Sequence, residues 1–263
     1  MAEHFGDVTV TLDDSFVATV EMHRPPENYF DLDVITALAD AYAALDAEPG
    51  CRAILLCSEG KHFCAGADLS GRRPSNSPVP GASEGPDLLY REAARLFAAE
   101  TPVVAAVQGA AVGAGLGLAC AADFRIASPA ARFSANFARF GFHQVFGLSV
   151  TLPDIVGRQQ STKLLYTGRR LSGEAALAIG LCDELVDAED LRRVAHTLAA
   201  EIAACAPLAL RSIRRTMRAG LVERFQAATE HESAEIAWLQ TTADWTEGVL
   251  ASREERPPRF AGR

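Results

Sequence analysis

Twice in this chain a strand-like apolar run empties into a cluster of very small residues, and this pairing constrains the fold more than any other feature of the sequence. The first cluster is His62-Phe63-Cys64-Ala65-Gly66-Ala67-Asp68-Leu69, which follows the apolar run Cys51 to Cys57. The second, Gly109-Ala110-Ala111-Val112-Gly113-Ala114-Gly115-Leu116-Gly117, follows Val103 to Val107 and opens a helical pattern that reaches Ala122. Small side chains let a backbone approach a ligand closely while its N–H groups stay free. At a helix start the first N–H groups also lack internal acceptors and carry partial positive charge, which suits a developing oxyanion. Either turn alone reads as an ordinary strand exit.

The rest of the pattern supports an α/β core with a helical C-terminal layer. Val8 to Leu12 and Phe16 to Met22 flank the turn Asp13-Asp14-Ser15 and predict a hairpin. Leu32, Ile35, Leu38, Ala39, Tyr42 and Leu45 recur at helical spacing, and a helix is also expected from Asp87 to about Ala99. The stretch Gly71 to Pro86 holds almost only Gly, Pro, Ser and charged or small residues, so it is expected to be a mobile loop. Phe124 to Ala127 is a further strand. After Pro153 helical segments are predicted near Ser161 to Tyr166, Gly173 to Ile179, Ala188 to Cys205, Pro207 to Ala219, Val222 to Leu239 and Thr242 to Ser252.

Several classes of function are disfavoured by composition. A formal net charge of -9 works against nucleic acid or an anionic membrane as the main partner. The opening MAEHFGDVTVTLDD has no basic region followed by an apolar stretch, and no long uninterrupted apolar run occurs, so a cytoplasmic protein is expected. The 6 cysteines show neither Cys-x-x-Cys pairs nor zinc-finger spacing and read as buried free thiols, with no metal expected. Gly109-x-x-x-Gly113-x-Gly115 imitates a dehydrogenase nucleotide turn, but no tyrosine is followed four places later by lysine, so no nicotinamide cofactor is expected.

Together, the two small-residue turns with a loop and helix between them resemble the enoyl-CoA hydratase/isomerase (crotonase) signature. The likeness runs from the Leu12–Phe16 hairpin, through Phe133 to Pro153, to the Arg-Pro-Pro-Arg-Phe ending at Phe260. It implies a ββα spiral forming an acyl-CoA-binding core over residues 1–200 and a C-terminal helical trimerisation region over 201–263, giving a homotrimer or a dimer of trimers. It implies an acyl-CoA thioester as ligand, with coenzyme A part of the substrate and no separate cofactor. The thioester oxygen would lie between the N–H groups of Ala67 and Ala114. The adenine would lie against the backbone of Ala65, Gly66, Ala67, Asp68 and Leu69, and Arg24 would approach the coenzyme-A phosphates. Apolar residues of the last helices, among them Phe225, Ile236, Trp238, Leu239, Trp245 and Leu250, are expected to need cover from a partner copy.

Where hydratases of the family carry two proton-transferring glutamates, this sequence has Gly117 and Phe137, and a third family carboxylate position holds Val145. A positioned acid/base group contributes roughly 10² to 10⁴-fold in rate, so hydration by a carboxylate pair is not expected. His143 is the candidate proton carrier, because its ordinary pKa lies near neutrality. Asn136, Phe137, Arg139 and Phe140 are expected to line the acyl pocket, with Gln144 nearby and Phe142 and Phe146 adding to its aromatic character. His62 is expected to pack or face the ribose, and Asp68 to cap local N–H groups. Three readings stay open: an enolate-stabilising enzyme of the hydratase/isomerase type, a thioester hydrolase or decarboxylase of the same fold, and a non-catalytic acyl-CoA binder.

Overall fold

The first three strands, β1 (Glu3–Phe5), β2 (Val8–Leu12) and β3 (Val17–Met22), form an antiparallel ribbon in the computed structural model, which describes residues 2–68 and 86–263. Asp13 turns the hairpin, its Oδ1 accepting the Ser15 N–H at 2.8 Å while Phe16 adopts a left-handed φ of 63°. Helix α1 (Leu32–Ala47) starts at Asp31, whose carboxylate accepts the Val34 N–H at 3.0 Å. Strand β4 (Ala53–Ser58) then lies parallel to β3, and α2 (Pro86–Ala98) follows. Leu69 and the loop expected from Gly71 lie outside the described residues, apart from Pro86 at the start of α2.

From here the chain repeats a two-strand, one-helix turn. Strand β5 (Val103–Val107) passes into β6 (Ala110–Val112) and α3 (Ala114–Ala121). Strand β7 (Phe124–Ala127) passes into β8 (Arg132–Ser134), a 3-10 turn over Phe137–Phe140, and α4 (Leu148–Thr167). The first strand of each turn joins a 7-stranded sheet of order β1-β2-β3-β4-β5-β7-β10, in which β10 is Glu184–Leu185. The second joins a 3-stranded sheet, β6-β8-β9, with β9 at Arg170–Ser172. The ββα spiral expected from the family resemblance is thus present as two nested sheets.

Alternation along β4 and β5 explains why both read as unbroken apolar runs. Ile54, Leu56, Val103, Ala105 and Val107 face one core, which α1, α2 and α3 cover. Leu55, Cys57, Val104 and Ala106 face a second core closed by Leu191, Ala195, Ala199 and Ala203 of α6 (Leu191–Ala203). Alanines on α6 let the helix sit close to the sheet.

The remaining helices are α5 (Gly173–Ala178), α7 (Pro207–Met217), α8 (Leu221–Leu239) and α9 (Ala243–Arg253). Helix α7 is fastened by Arg214 Nε and Arg218 Nη1, which both donate to the Asp123 carboxylate at 2.9 and 2.8 Å. Helix α8 packs on α2 and α4 and sends Phe225 and Ile236 into the chain's own main core. Those two side chains, expected to need cover from a partner copy, are therefore covered within the chain. Trp238 and Leu250 remain exposed, as do Leu208 (82%) and Met217 (79%) of α7. Helix α9 folds back over the 3-10 turn, where Gly248 lies so close to Phe140 that a Cβ would sit 2.5 Å from its carbonyl oxygen. No single helix among the described residues is long and apolar enough to cross a membrane.

Candidate active site

The first small-residue segment is clamped on both sides. Cys64 N–H donates to the Ala110 carbonyl (2.9 Å) and Val112 N–H to the Cys64 carbonyl (3.0 Å), so the segment runs parallel to β6. On its other side Ala65 N–H donates to the Glu27 carbonyl and Phe30 N–H to the Gly66 carbonyl, each at 2.9 Å. Gly66 has a φ of +86°, and a Cβ there would lie 2.6 Å from the Val112 carbonyl oxygen, so only glycine fits. Upstream, the buried Asn28 donates from Nδ2 to the carbonyls of Glu59 and His62, fixing the approach to the turn.

Two N–H groups emerge from this arrangement uncommitted. That of Ala67 has no acceptor among the described residues. Ala114 is the first residue of α3, so its N–H has no place in the helical ladder and likewise has no described acceptor. The Ala114 nitrogen lies 3.7 Å from where a Gly66 Cβ would be, so the two turns meet. Both alanines line one cleft of about 700 Å³.

Across this cleft stand Phe137, Phe140, Phe142 and Val145, with Asn136 beside them. The aromatic wall is self-supporting: Phe142 meets Phe137 edge-on at 5.6 Å and Trp245 of α9 at 4.9 Å. Arg132 and Arg170, from adjacent strands of the small sheet, and Ser252, Arg253 and Glu255 at the end of α9 also border it. Glu255 is the carboxylate that lines the cleft among the described residues. No group of three or more His, Cys, Asp or Glu able to hold a metal ion is found among them.

The other expected site residues fall as follows. His143 does not line the cleft. Its Nδ1 lies 2.9 Å from the Gln144 carbonyl and its ring meets His231 of α8 edge-on at 5.7 Å. Arg139 is exposed and donates from Nε to the Thr167 carbonyl (2.9 Å), and Gln144 donates to Ser149. Neither reaches the cleft. Arg24 is held by both Asp7 and Asp31, and its side chain is only 13% exposed, so its charge is neutralised away from the cleft. Asp68 is half-buried at the end of the first turn and is engaged there.

His62, by contrast, does line the cleft. Burial, and then the nearby Lys61, hold its pKa below the usual value, and its Nδ1 accepts the Ala110 N–H at 3.2 Å. The neutral ring therefore carries its proton on Nε2. Cys64 beneath the turn is inert, because burial pushes its thiol up to about 12.

Phe146 and Glu232 have roles that no local pattern reveals. Phe146, expected in the acyl pocket, is instead fully buried among Phe30, Phe97 and Phe225. It fills the space beside Gly117: a Cβ on Gly117 would lie 2.5 Å from its Cδ1 and 2.7 Å from its Cβ. Position 117, where the family resemblance leads a hydratase glutamate to be expected, is thus closed to any larger side chain while Phe146 stays in place. Phe146 and Gly147 are both left-handed (φ 61° and 63°). The fully buried carboxylate of Glu232 holds this turn, accepting the N–H groups of Gly147 (2.9 Å) and Ser149 (3.1 Å) and the Ser149 hydroxyl (2.6 Å). Burial raises the Glu232 pKa, opposed by those same hydrogen bonds.

Two nested sheets in a ββα spiral, with two small-residue strand exits lining one cleft, define the class of fold to which this chain belongs. The enoyl-CoA hydratase/isomerase sequence pattern matches residues 13–263, and the chain belongs to that family, the crotonases. It is 30% identical over 250 residues to 1,2-epoxyphenylacetyl-CoA isomerase of Escherichia coli, covering 94% of this chain and 95% of that one. Its fold is similar to the crystal structure of an enoyl-CoA hydratase/isomerase from Pseudoalteromonas atlantica (TM-score 0.84, 30% identity, 97% of this chain and 100% of that one). It is also similar to that of an enoyl-CoA hydratase from Mycobacterium avium subsp. paratuberculosis (TM-score 0.83, 26% identity, 98% and 100%). The fold is the α/β crotonase fold with C-terminal helices.

Proposed function

We propose that this protein is an acyl-CoA enzyme that holds the thioester oxygen between the N–H groups of Ala67 and Ala114 and acts by stabilising negative charge there, without a hydratase carboxylate pair. The observation that carries this reading is that two residues whose N–H groups have no acceptor among the described residues line one cleft, while the positions at which hydratase glutamates are expected from the family resemblance hold Gly117, closed by Phe146, and Phe137. Donors fixed in advance at the place where charge develops need no reorganisation during reaction. The aromatic wall of Phe137, Phe140 and Phe142 supports a bulky apolar or aryl acyl group. The 30% identity to an isomerase of an aryl-acetyl thioester points the same way.

Within this proposal the adenine lies along Ala65 to Asp68, as in the family, and Leu69 belongs to the same segment. The protein is cytoplasmic, a location supported by five buried free thiols. Residues 201–263 contribute contacts in a homotrimer or dimer of trimers, and the exposed Leu208, Ile213 and Met217 of α7 supply apolar area for such contacts. Incubation with saturated, enoyl, 3-hydroxyacyl, 3-oxoacyl and arylacetyl thioesters of coenzyme A, with products followed by mass, tests the reading. Binding and turnover of bulky thioesters are expected, with crotonyl-CoA hydration below that of a two-glutamate hydratase by roughly 10² to 10⁴-fold. Failure to bind any thioester overturns it.

A further inference from the structure

The acyl end of the cleft is walled by Phe137, Phe140, Phe142 and Val145, and one neutral polar side chain stands among them with no side-chain hydrogen bond among the described residues. Asn136 precedes the 3-10 turn, makes no capping hydrogen bond to it, and has no other side-chain partner among the described residues. It is half-buried and faces the cleft, where a ligand would displace the water around its amide. Its position is set by its neighbours: Gly113 N–H donates to the Ser134 carbonyl at 2.9 Å, and the Asn136 Oδ1 lies 3.8 Å from where a Gly113 Cβ would be. Gly113 directly precedes Ala114, so the amide stands beside the oxyanion hole and not at the far end of the cleft.

An amide offers an acceptor and two donors, so it can bind a hydroxyl in both senses or donate to a carbonyl, whereas a saturated chain gives it nothing. A thioester oxygen about 3 Å from the Ala114 nitrogen leaves the first carbons of the acyl chain next to Gly113. We propose that Asn136 is a specificity-determining residue that reads an oxygen on carbon 3 of the acyl group, so that the preferred ligands are 3-hydroxyacyl or 3-oxoacyl thioesters with an apolar or aryl remainder. This rests on the placement of the thioester oxygen between Ala67 and Ala114.

The test compares affinities for matched pairs by calorimetric titration: 3-hydroxy-3-phenylpropionyl-CoA against 3-phenylpropionyl-CoA, and 3-hydroxybutyryl-CoA against butyryl-CoA. The natural protein should favour the 3-hydroxy member of each pair by about tenfold, the upper range for one neutral hydrogen bond. In Asn136→Ala that ratio should fall to about one whatever happens to the absolute affinities. Asn136→Leu carries the same comparison if the alanine variant does not fold. Equal affinity for both members in the natural protein, or a preference that survives either variant, overturns the proposal. Absence of binding by every thioester would instead overturn the placement on which it rests.

Discussion

Gly117→Ala should have opposite effects on stability in two backgrounds, because the residue that opposes it is Phe146. In the natural protein the added methyl would lie 2.5 Å from Phe146 Cδ1 and 2.7 Å from Phe146 Cβ, and both residues are buried. Overpacking of this kind costs about 1–3 kcal/mol. Alanine in place of glycine inside a helix returns about 1 kcal/mol. The net expectation is a loss of up to about 2 kcal/mol. Phe146→Gly removes the ring and the Cβ together, and its φ of 61° suits glycine. In that background Gly117→Ala meets neither atom and should stabilise by up to about 1 kcal/mol. Phe146→Gly alone should cost about 3–5 kcal/mol for its lost ring, less the relieved backbone strain. Urea unfolding of the four proteins at equal protomer concentration, followed by circular dichroism, gives the coupling. Equal effects of Gly117→Ala in both backgrounds, within about 0.5 kcal/mol, would refute the matched-pair reasoning. They would also reopen the possibility of restoring a glutamate at position 117 without moving Phe146.

Glu232→Gln should change the pH dependence of stability on the alkaline side. A raised folded-state pKa means that the natural protein is favoured below the ordinary glutamate value and loses that contribution as pH rises through the folded value, so the glutamine variant should show a flatter profile there in thermal unfolding. The C-terminal tail should loosen in acid: Arg256 and then the Arg259 N–H hold the Glu247 pKa down to about 2, so that attachment is present above 4.5 and is lost as pH falls through about 2. Limited proteolysis should show tail cleavage rising over that window, and a chain ending at Glu255 should bind thioesters more weakly because α9, which carries Val249, Ser252 and Arg253 of the cleft, loses the tail's bonds to Glu247 and Asp244. His143→Ala should leave thioester turnover within about twofold, since the ring faces His231, and a larger loss would return His143 to the chemistry.

Much of this architecture is legible in the sequence where local chemistry decides it. Strands β5 and β7 occupy the expected Val103 to Val107 and Phe124 to Ala127, because Pro102 and flanking polar residues bound short β-branched or apolar runs. The two turns are legible because backbone contact demands small residues, and Gly66 and Gly115 mark where Val112 and Cys64 come close. The three-residue strand β6 is hidden, since Ala110–Val112 has no alternation to separate it from the helix that follows. What the cleft contains depended on longer range. Whether Phe146 points into the acyl space or away from it is settled by Glu232, 85 residues beyond the adjoining Gly147, and by a core that includes Phe225. Arg24 carries a charge suited to phosphate, but the β2–β3 register and the start of α1 bring Asp7 and Asp31 to it first.

The oxyanion role itself is tested most directly by the infrared absorption of a carbon-13-labelled thioester carbonyl in the bound ligand. Two N–H donors polarise that carbonyl, so its stretch should move to lower frequency on binding to the natural protein. Ala114→Pro removes one donor at the first helical position, where proline is tolerated and the preceding Gly113 is free to adapt. In that variant the shift should shrink and turnover should fall by roughly 10² to 10³-fold. A bound thioester whose carbonyl frequency matches that in water, or a folded Ala114→Pro protein with the full shift, would contradict the account.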